Sequence, residues 1–504
     1  MSISKKINLM LETTKFNKIY INKYIDSNIN DFMNLNKNIN INHLFKNNFK
    51  KCENCSQCSD FYIEEINENG IKIDKSGTYY FLNNITWTPT QDYQIAISIE
   101  CDNVIINFSN YILECNNPNN YDVIGINSNT VSNITIINGE IKNMCRYGIS
   151  LIETTNIILD KIFINGITIK NLNIRNLTPA GIFCNKCINI TINKCSIENI
   201  KVKTDSSAGI QISNSEIGNI SNCYIHNIIN LDGAVQGLSY FASEFINTSY
   251  CVVDTLQSFF IDNILTTGHT VLGICPFISS DLIFDNMNVT NMIGSCDDCH
   301  GASLFICTSI IFKNSYVSNI IDGISSSNSG AKSTGIEVYG NDIEINNCFV
   351  ENVKAINPQD KICSGFSCAG DNIKFINCIS KNVIVVNEFG ETNIKKLGFG
   401  TGFGWAPDPR IEFKDIYSNN IKYQNCSSYN CQVGFDTWNH IDSIWKDITS
   451  YNCDENILIQ SNNSRTISCN CCSECNPSIF TVLYNNASNN IINNSINIEL
   501  FKIE

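Results

Sequence analysis

A chain of 504 residues allows several ordinary domains or one elongated repeat domain, and 43% hydrophobic against 16% charged residues is enough core material to fold. A formal charge of −14 and a pI near 4.9, with no Lys/Arg stripe, exclude nucleic acid as an expected partner. No run reaches membrane-spanning length, and Lys5, Lys6, Glu12, Lys15 and Lys18 break up the first twenty residues, so neither a membrane span nor a signal peptide is expected.

Residues 1–60 read as a polar, Asn/Lys-rich arm, helical in part around Ile19 to Phe49, ending in the cluster Cys52, Cys55 and Cys58. From Ile71 the pattern changes to short alternating runs broken at Ser76-Gly77 and Asp102-Asn103, the mark of strands separated by turns. The segments from Ser76 to Leu82 (SGTYYFL) and from Asp102 to Asn107 (DNVIIN) resemble the opening coils of the pectin lyase-like right-handed parallel β-helices. That resemblance implies an all-β fold, with residues 61–468 a single right-handed parallel β-helix solenoid.

A repeat supports this expectation. The unit x-I-x-I-x-N-C-x-I-x-N-I occurs as NITINKCSIENI ending at Ile200, GNISNCYIHNI ending at Ile228, DIEINNCFVENV ending at Val353 and NIKFINCISKNV ending at Val383. Five looser copies end at Met144, Met292, Ile320, Cys431 and Cys453. Aligned, all nine place Asn at one position: Asn143, Asn199, Asn227, Asn291, Asn319, Asn352, Asn382, Asn430 and Asn452. Even with 79 Asn in the chain, composition alone would fill only one or two of these. Asn tolerates left-handed backbone angles and carries both donors and acceptors, so a column of stacked amides is expected at a bend. Buried in a ladder, Asn352 should matter more to stability than Asn341. A second column, Cys195, Cys223, Cys348, Cys378 and Cys426 with Met287 and Ser315 interspersed, reads as inward-facing small core residues. Gly-Ile pairs at Gly125, Gly148, Gly181, Gly209 and Gly335 anchor a further strand in each coil.

After Ser468 the repeats give way to a Cys-rich cap or tail, residues 469–504, with Cys469, Cys471, Cys472 and Cys475. The 26 cysteines leave three readings open: buried core thiols, zinc held by the terminal clusters, or disulfides formed late. No cofactor is expected and no metal ligand set is assigned. The Asn and Ile bias resembles that of proteins from AT-rich giant viruses of the mimivirus kind, which implies a virion or host-cytoplasm location and late oxidation.

The family resemblance implies polysaccharide chemistry on the solenoid exterior, where lyases and hydrolases need carboxylates or basic groups about 5–10 Å apart. Two places offer them. Asp297, Asp298 and His300 lie in SCDDCHG from Ser295 to Gly301, where a solvated loop, a disulfide or metal clip, and catalysis all remain open. Arg410, Asp436 and His440, with Trp405 and Trp438 as sugar-stacking candidates, sit in the Gly-rich stretch after Gly398 or just beyond it, where a long structured loop between coils is the other reading. The first expectation is a structural or glycan-contacting β-helix with a polysaccharide partner, possible assembly into homo-oligomers and a place in a virion. A polysaccharide lyase or glycoside hydrolase is the alternative, and a zinc-stabilised interaction protein the second.

Overall fold

The structure, a computed structural model, describes residues 59–502 apart from 118, 120, 170–177, 259–269, 295–297, 324–331, 357–361, 388–391, 393–399, 405–417, 437–439, 460–462, 467–479 and 485–497. The N-terminal arm, its cysteines and the C-terminal Cys cluster lie outside the described residues. Every regular element described is a β-strand, and every pairing is parallel, which makes the fold a parallel β-helix. No helix among the described residues is long and apolar enough to cross a membrane. The chain divides into two compact units, Asn22–Gly268 and, in its described part, His269–Glu504.

In the first unit one coil consists of strands Ala180–Asn185, Ile188–Asn193 and Ser196–Val202, and the next of Ser206–Ser213, Glu216–Ser221 and Tyr224–Asn230. Ile182 lies opposite Ile210, Ile192 opposite Ile220 and Ile197 opposite Ile225, each 28 residues on, so the Asn199-to-Asn227 interval is one complete coil. In the second unit the same logic gives 30 residues, with Ile336 opposite Phe366 and Val353 opposite Val383, and then 22, with Ser428 opposite Ser450. Each coil thus carries three strands, and inward Ile, Val, Leu and Phe columns fill the bore at essentially zero exposure.

All nine aligned Asn residues have left-handed backbones, φ between 52° and 60°. Their amides form the expected column: Asn227 Nδ2 donates to Asn199 Oδ1 (2.6 Å), Asn352 to Asn319 (3.2 Å), Asn382 to Asn352 (2.9 Å) and Asn452 to Asn430 (2.8 Å). The column lies on the exposed outer corner, however, so its members lose little by desolvation. Asn341, the comparison residue, is itself buried and its Oδ1 accepts the Asp371 amide at 3.2 Å. The expected order of the two substitutions therefore reverses. Asn352→Ala should cost about 1–2 kcal/mol, chiefly from placing a Cβ-bearing residue in a left-handed corner, whereas Asn341→Ala should cost about 1–3 kcal/mol by stripping a buried partner. Asn352→Gly should recover most of the first loss in urea unfolding, and a Gly variant no better than Ala would show that the backbone is not the cause.

Two further columns share this device. Asn133 donates to Asn103, Asn156 to Asn133 and Asn189 to Asn156 at one corner. At another, Asn347 donates to Asn314 and Asn425 to Asn377. The cysteine column follows this last corner inward. Cys195, Cys223, Cys348, Cys378 and Cys426 are buried free thiols, joined by Cys251, and each thiol donates to the carbonyl two residues back, as Cys223 does to Ser221 (3.3 Å). Ser315 makes the same bond to Lys313 (2.6 Å), which is why small polarizable or hydroxylic residues alternate there. None of the eighteen described cysteines is in a disulfide, and burial pushes the Cys115, Cys307 and Cys368 thiols up to about 12, which leaves them unreactive.

Glycine has a packing reason in the Gly-Ile strand. A Cβ on Gly209 would sit 2.5 Å from Ile225 Cγ2 and 2.8 Å from the Gly237 carbonyl, so a larger residue fits there only if its neighbours shift.

Candidate functional site

Of the residues singled out from sequence, Asp297, Trp405, Arg410 and Trp438 lie outside the described residues, and His440 begins strand His440–Lys446 without a described side chain. Asp298 and His300 are not in a loop: they open the buried strand Asp298–Thr308. Ala302 and Leu304 point into the bore, so alternation puts Ser303 on the opposite face of the sheet. There Ser303 Oγ donates to Glu337 Oε2 (2.8 Å), and His300 Nε2 stands 3.7 Å from the same oxygen. Cys299 is a free thiol held well above its usual range by burial first and by Asp322 next, and its CxxC neighbour Cys296 lies outside the described residues.

Asp436 lies on the same sheet. The register runs Ser303, Glu337, Ser367, Gly404, and the Gly404 Cβ position falls 3.1 Å from Asp436 Cβ on the next rung. Glu337 and Asp436 are therefore three rungs, about 14 Å, apart, which is beyond the reach of a paired-carboxylate hydrolysis. His300 is 2% exposed, Glu337 4% and Asp436 1%, so substrate does not reach these groups in this conformation. The structure brings the predicted Asp298, His300 and Asp436 to one sheet without assembling them into a reacting set.

An open site that the individual residues did not suggest lies elsewhere in the second unit. A groove of about 420 Å³ runs along the stack over four consecutive rungs. One side is the corner column Asp281, Ser309, Asp342 and Asn372; the other is Ile283, Ile311, Glu344 and Lys374, which pair in register. Asn372 Nδ2 donates to Asp342 Oδ1 (3.0 Å), and Asn346 Nδ2 to Glu344 Oε1 (3.2 Å), so both carboxylates are oriented by neighbouring amides. These are positions one and three of four repeat copies, and reading the alignment down its columns would have shown them. The groove has carboxylates, an amide and a hydroxyl on one wall, and on the other two aliphatic side chains, Ile283 and Ile311, followed by the Glu344 carboxylate and one ammonium. Such a surface can hydrogen-bond vicinal hydroxyls and seat an apolar ring face.

In the first unit, sequence reasoning also missed His226, whose Nδ1 lies 3.0 Å from Asp254 Oδ2 on the next rung and whose ring stacks on Tyr224. It occupies the outward position held by Glu198 in the neighbouring copy, and the pair is partly exposed. Among the described residues no group of three or more His, Cys, Asp or Glu side chains could hold a metal ion.

No protein-family model matches the chain, and no curated protein matches it. Among solved structures it is similar to an Azotobacter vinelandii mannuronan C-5 epimerase A-module, with 10% identity and a TM-score of 0.38, covering 77% of this chain and 90% of that one. A second A-module of that organism's mannuronan C-5 epimerases gives 8%, 0.32, 83% and 92%, in the same order. The catalytic domain of a GH87 alpha-1,3-glucanase in complex with tetrasaccharides gives 12%, 0.33, 83% and 68%. With identities this low and every score below 0.5, the chain's function has to be argued from its own geometry.

Proposed function

We propose that this protein is a glycan-contacting β-helix that holds a neutral polysaccharide chain along the groove of its second unit. The carrying observation is the four-rung groove, whose two side-chain columns step about every 4.8 Å along the stack, close to the length of one pyranose residue. The groove carries three carboxylates, Asp281, Asp342 and Glu344, against one ammonium, Lys374, and this balance repels polyuronates and favours uncharged sugars. A structural role, in a virus particle or in host cytoplasm, belongs to the same reading and is supported by the long repeat and the Asn/Ile bias. Finding the chain in purified particles tests that part.

The groove is tested by binding soluble neutral β-glucans and N-acetylglucosamine oligomers beside alginate and pectate, with product formation followed in the same samples. Wild type should bind a neutral glycan, and Asp342→Ala with Glu344→Ala should weaken it about tenfold or more, as expected for losing charge-assisted hydrogen bonds. Equal affinity in the variant, or preference for the polyuronates, refutes the assignment. Reducing ends released by wild type and abolished by Asp342→Asn would make the same groove hydrolytic.

A further inference from the structure

Seven of the nine repeat copies end on Met, Ile or Val at 1% exposure or less, as Ile228, Val353 and Val383 do. The last two end on Cys431 and Cys453 instead. The register carries Lys381 to Tyr429 and Tyr429 to Tyr451, so Val383, Cys431 and Cys453 stack on consecutive rungs of the second unit. The ladder is unbroken at the pair: the Asp454 amide donates to the Cys431 carbonyl (3.3 Å), and Asn452 Nδ2 to Asn430 Oδ1 (2.8 Å) just before it. Rungs about 4.8 Å apart fall inside the Cα range, roughly 4.4–6.8 Å, from which a disulfide closes without moving the backbone. Both thiols turn the same way, each donating to the carbonyl two residues back, Cys431 to Tyr429 (3.4 Å) and Cys453 to Tyr451 (3.6 Å).

Stacking alone does not single this pair out. Cys195, Cys223 and Cys251 also stack, as do Cys348, Cys378 and Cys426, but all six are at 1% exposure or less and out of reach of an oxidant. Among the described cysteines Cys453 alone is partly exposed. The Cys431 thiol beside it is the first cause that brings the Cys453 thiol down to about 6, so it is largely thiolate at neutral pH. The same contact first, and burial next, hold the Cys431 thiol well above its usual range, so it keeps its proton. We propose that Cys431 and Cys453 form an oxidation site, closed by a small-molecule disulfide into a bridge that pins two adjacent coils together. The Cys453 thiolate attacks one sulfur of the oxidant, whose S–S bond breaks and releases a thiolate. That thiolate takes the Cys431 proton, and Cys431 attacks Cys453 Sγ and expels the second thiol. Two protein thiols are oxidised and one oxidant disulfide is reduced to two thiols.

The experiment incubates the full chain, purified reduced, with glutathione disulfide at neutral pH, then quenches with acid, alkylates the remaining thiols and maps the peptides by mass spectrometry. Wild type should give a Cys431–Cys453 linkage while the Cys195 and Cys348 columns stay reduced until denaturant is added. Cys431→Val, which restores the residue type of Val383 and so keeps the core filled, should instead accumulate a glutathione adduct on Cys453. Cys453→Ser should give neither product. In the oxidised wild type, amide exchange in the strands Val433–Asp436 and His440–Lys446, which lie inside the closed loop, should slow about tenfold or more. A glutathione adduct that persists on wild-type Cys453, no reaction at Cys453, or its linkage to a terminal-cluster cysteine or a second chain overturns the proposal. So does exchange in those strands that oxidation leaves unchanged, because the bridge would then pin nothing.

Discussion

Phe375→Ala should lower the unfolding free energy by about 3–5 kcal/mol, among the largest losses open to a single truncation in this protein. Phe375 is fully buried at the meeting point of two aromatic columns in the second unit. One column runs Phe375, Tyr423, Trp445, with centroids 5.0 and 4.0 Å apart; the other runs Phe366, Phe403, Phe435 at 4.8 and 4.9 Å. Phe375 meets the second column edge-on, 5.9 Å from Phe366 and 6.4 Å from Phe403. Truncation therefore removes one offset stack and two edge contacts together, and rigid strands above and below cannot collapse into the void. In a solenoid each coil leans on its neighbours, so the damage should appear as local opening of the coils around Phe375 before global unfolding. Denaturant unfolding combined with amide exchange resolves this. A loss under about 1 kcal/mol would mean that this rung is loosely packed. Phe375→Leu should cost much less, because it keeps most of the buried area.

The scaffold was readable because its physics repeats. A left-handed corner selects Asn on every coil, and nine copies lifted Asn199, Asn227 and Asn352 above the Asn-rich background. The small donor behind the corner selects Cys or Ser for one hydrogen bond to the carbonyl two residues back. What repeats shows in one sequence; what departs from the repeat is harder to see. Asp281, Ser309, Asp342 and Asn372 hold one corner position, and a search for catalytic motifs along the chain passes over them because their chemistry runs across coils. The SCDDCHG motif misled because adjacent acids suggested a loop, whereas Asp298 and His300 belong to a buried strand. Whether Asn352 or Asn341 was the costlier position turned on burial, which alternation alone did not reveal.

Arg146→Met should destabilise the first unit by about 3–5 kcal/mol at neutral pH, and the loss should shrink on acidification. Arg146 and Asp122 form a salt bridge through Nη2 and Oδ2 with both side chains almost wholly buried, and the guanidinium also lies 5.2 Å over the Tyr93 ring. Burial raises the Asp122 carboxyl above the usual range; Arg146 pulls it back only in part, and Asp92 adds to the rise. The folded state therefore holds the Asp122 proton more tightly than the unfolded chain. This group favours folding below the unfolded value of about 4 and costs stability as pH rises through its higher folded value. Without Arg146 the folded value climbs further, so the variant should suffer most at neutral pH and recover toward pH about 4, where the carboxyl is neutral in both states. The double variant Asp122→Leu with Arg146→Met should regain most of the loss, because it leaves neither a buried charge nor an unmatched partner. Urea midpoints of the three proteins at the two pH values decide the matter. A single-variant loss that is the same at both, or a double variant no better than the single, would place the cost in packing around Tyr93 rather than in the stranded carboxylate.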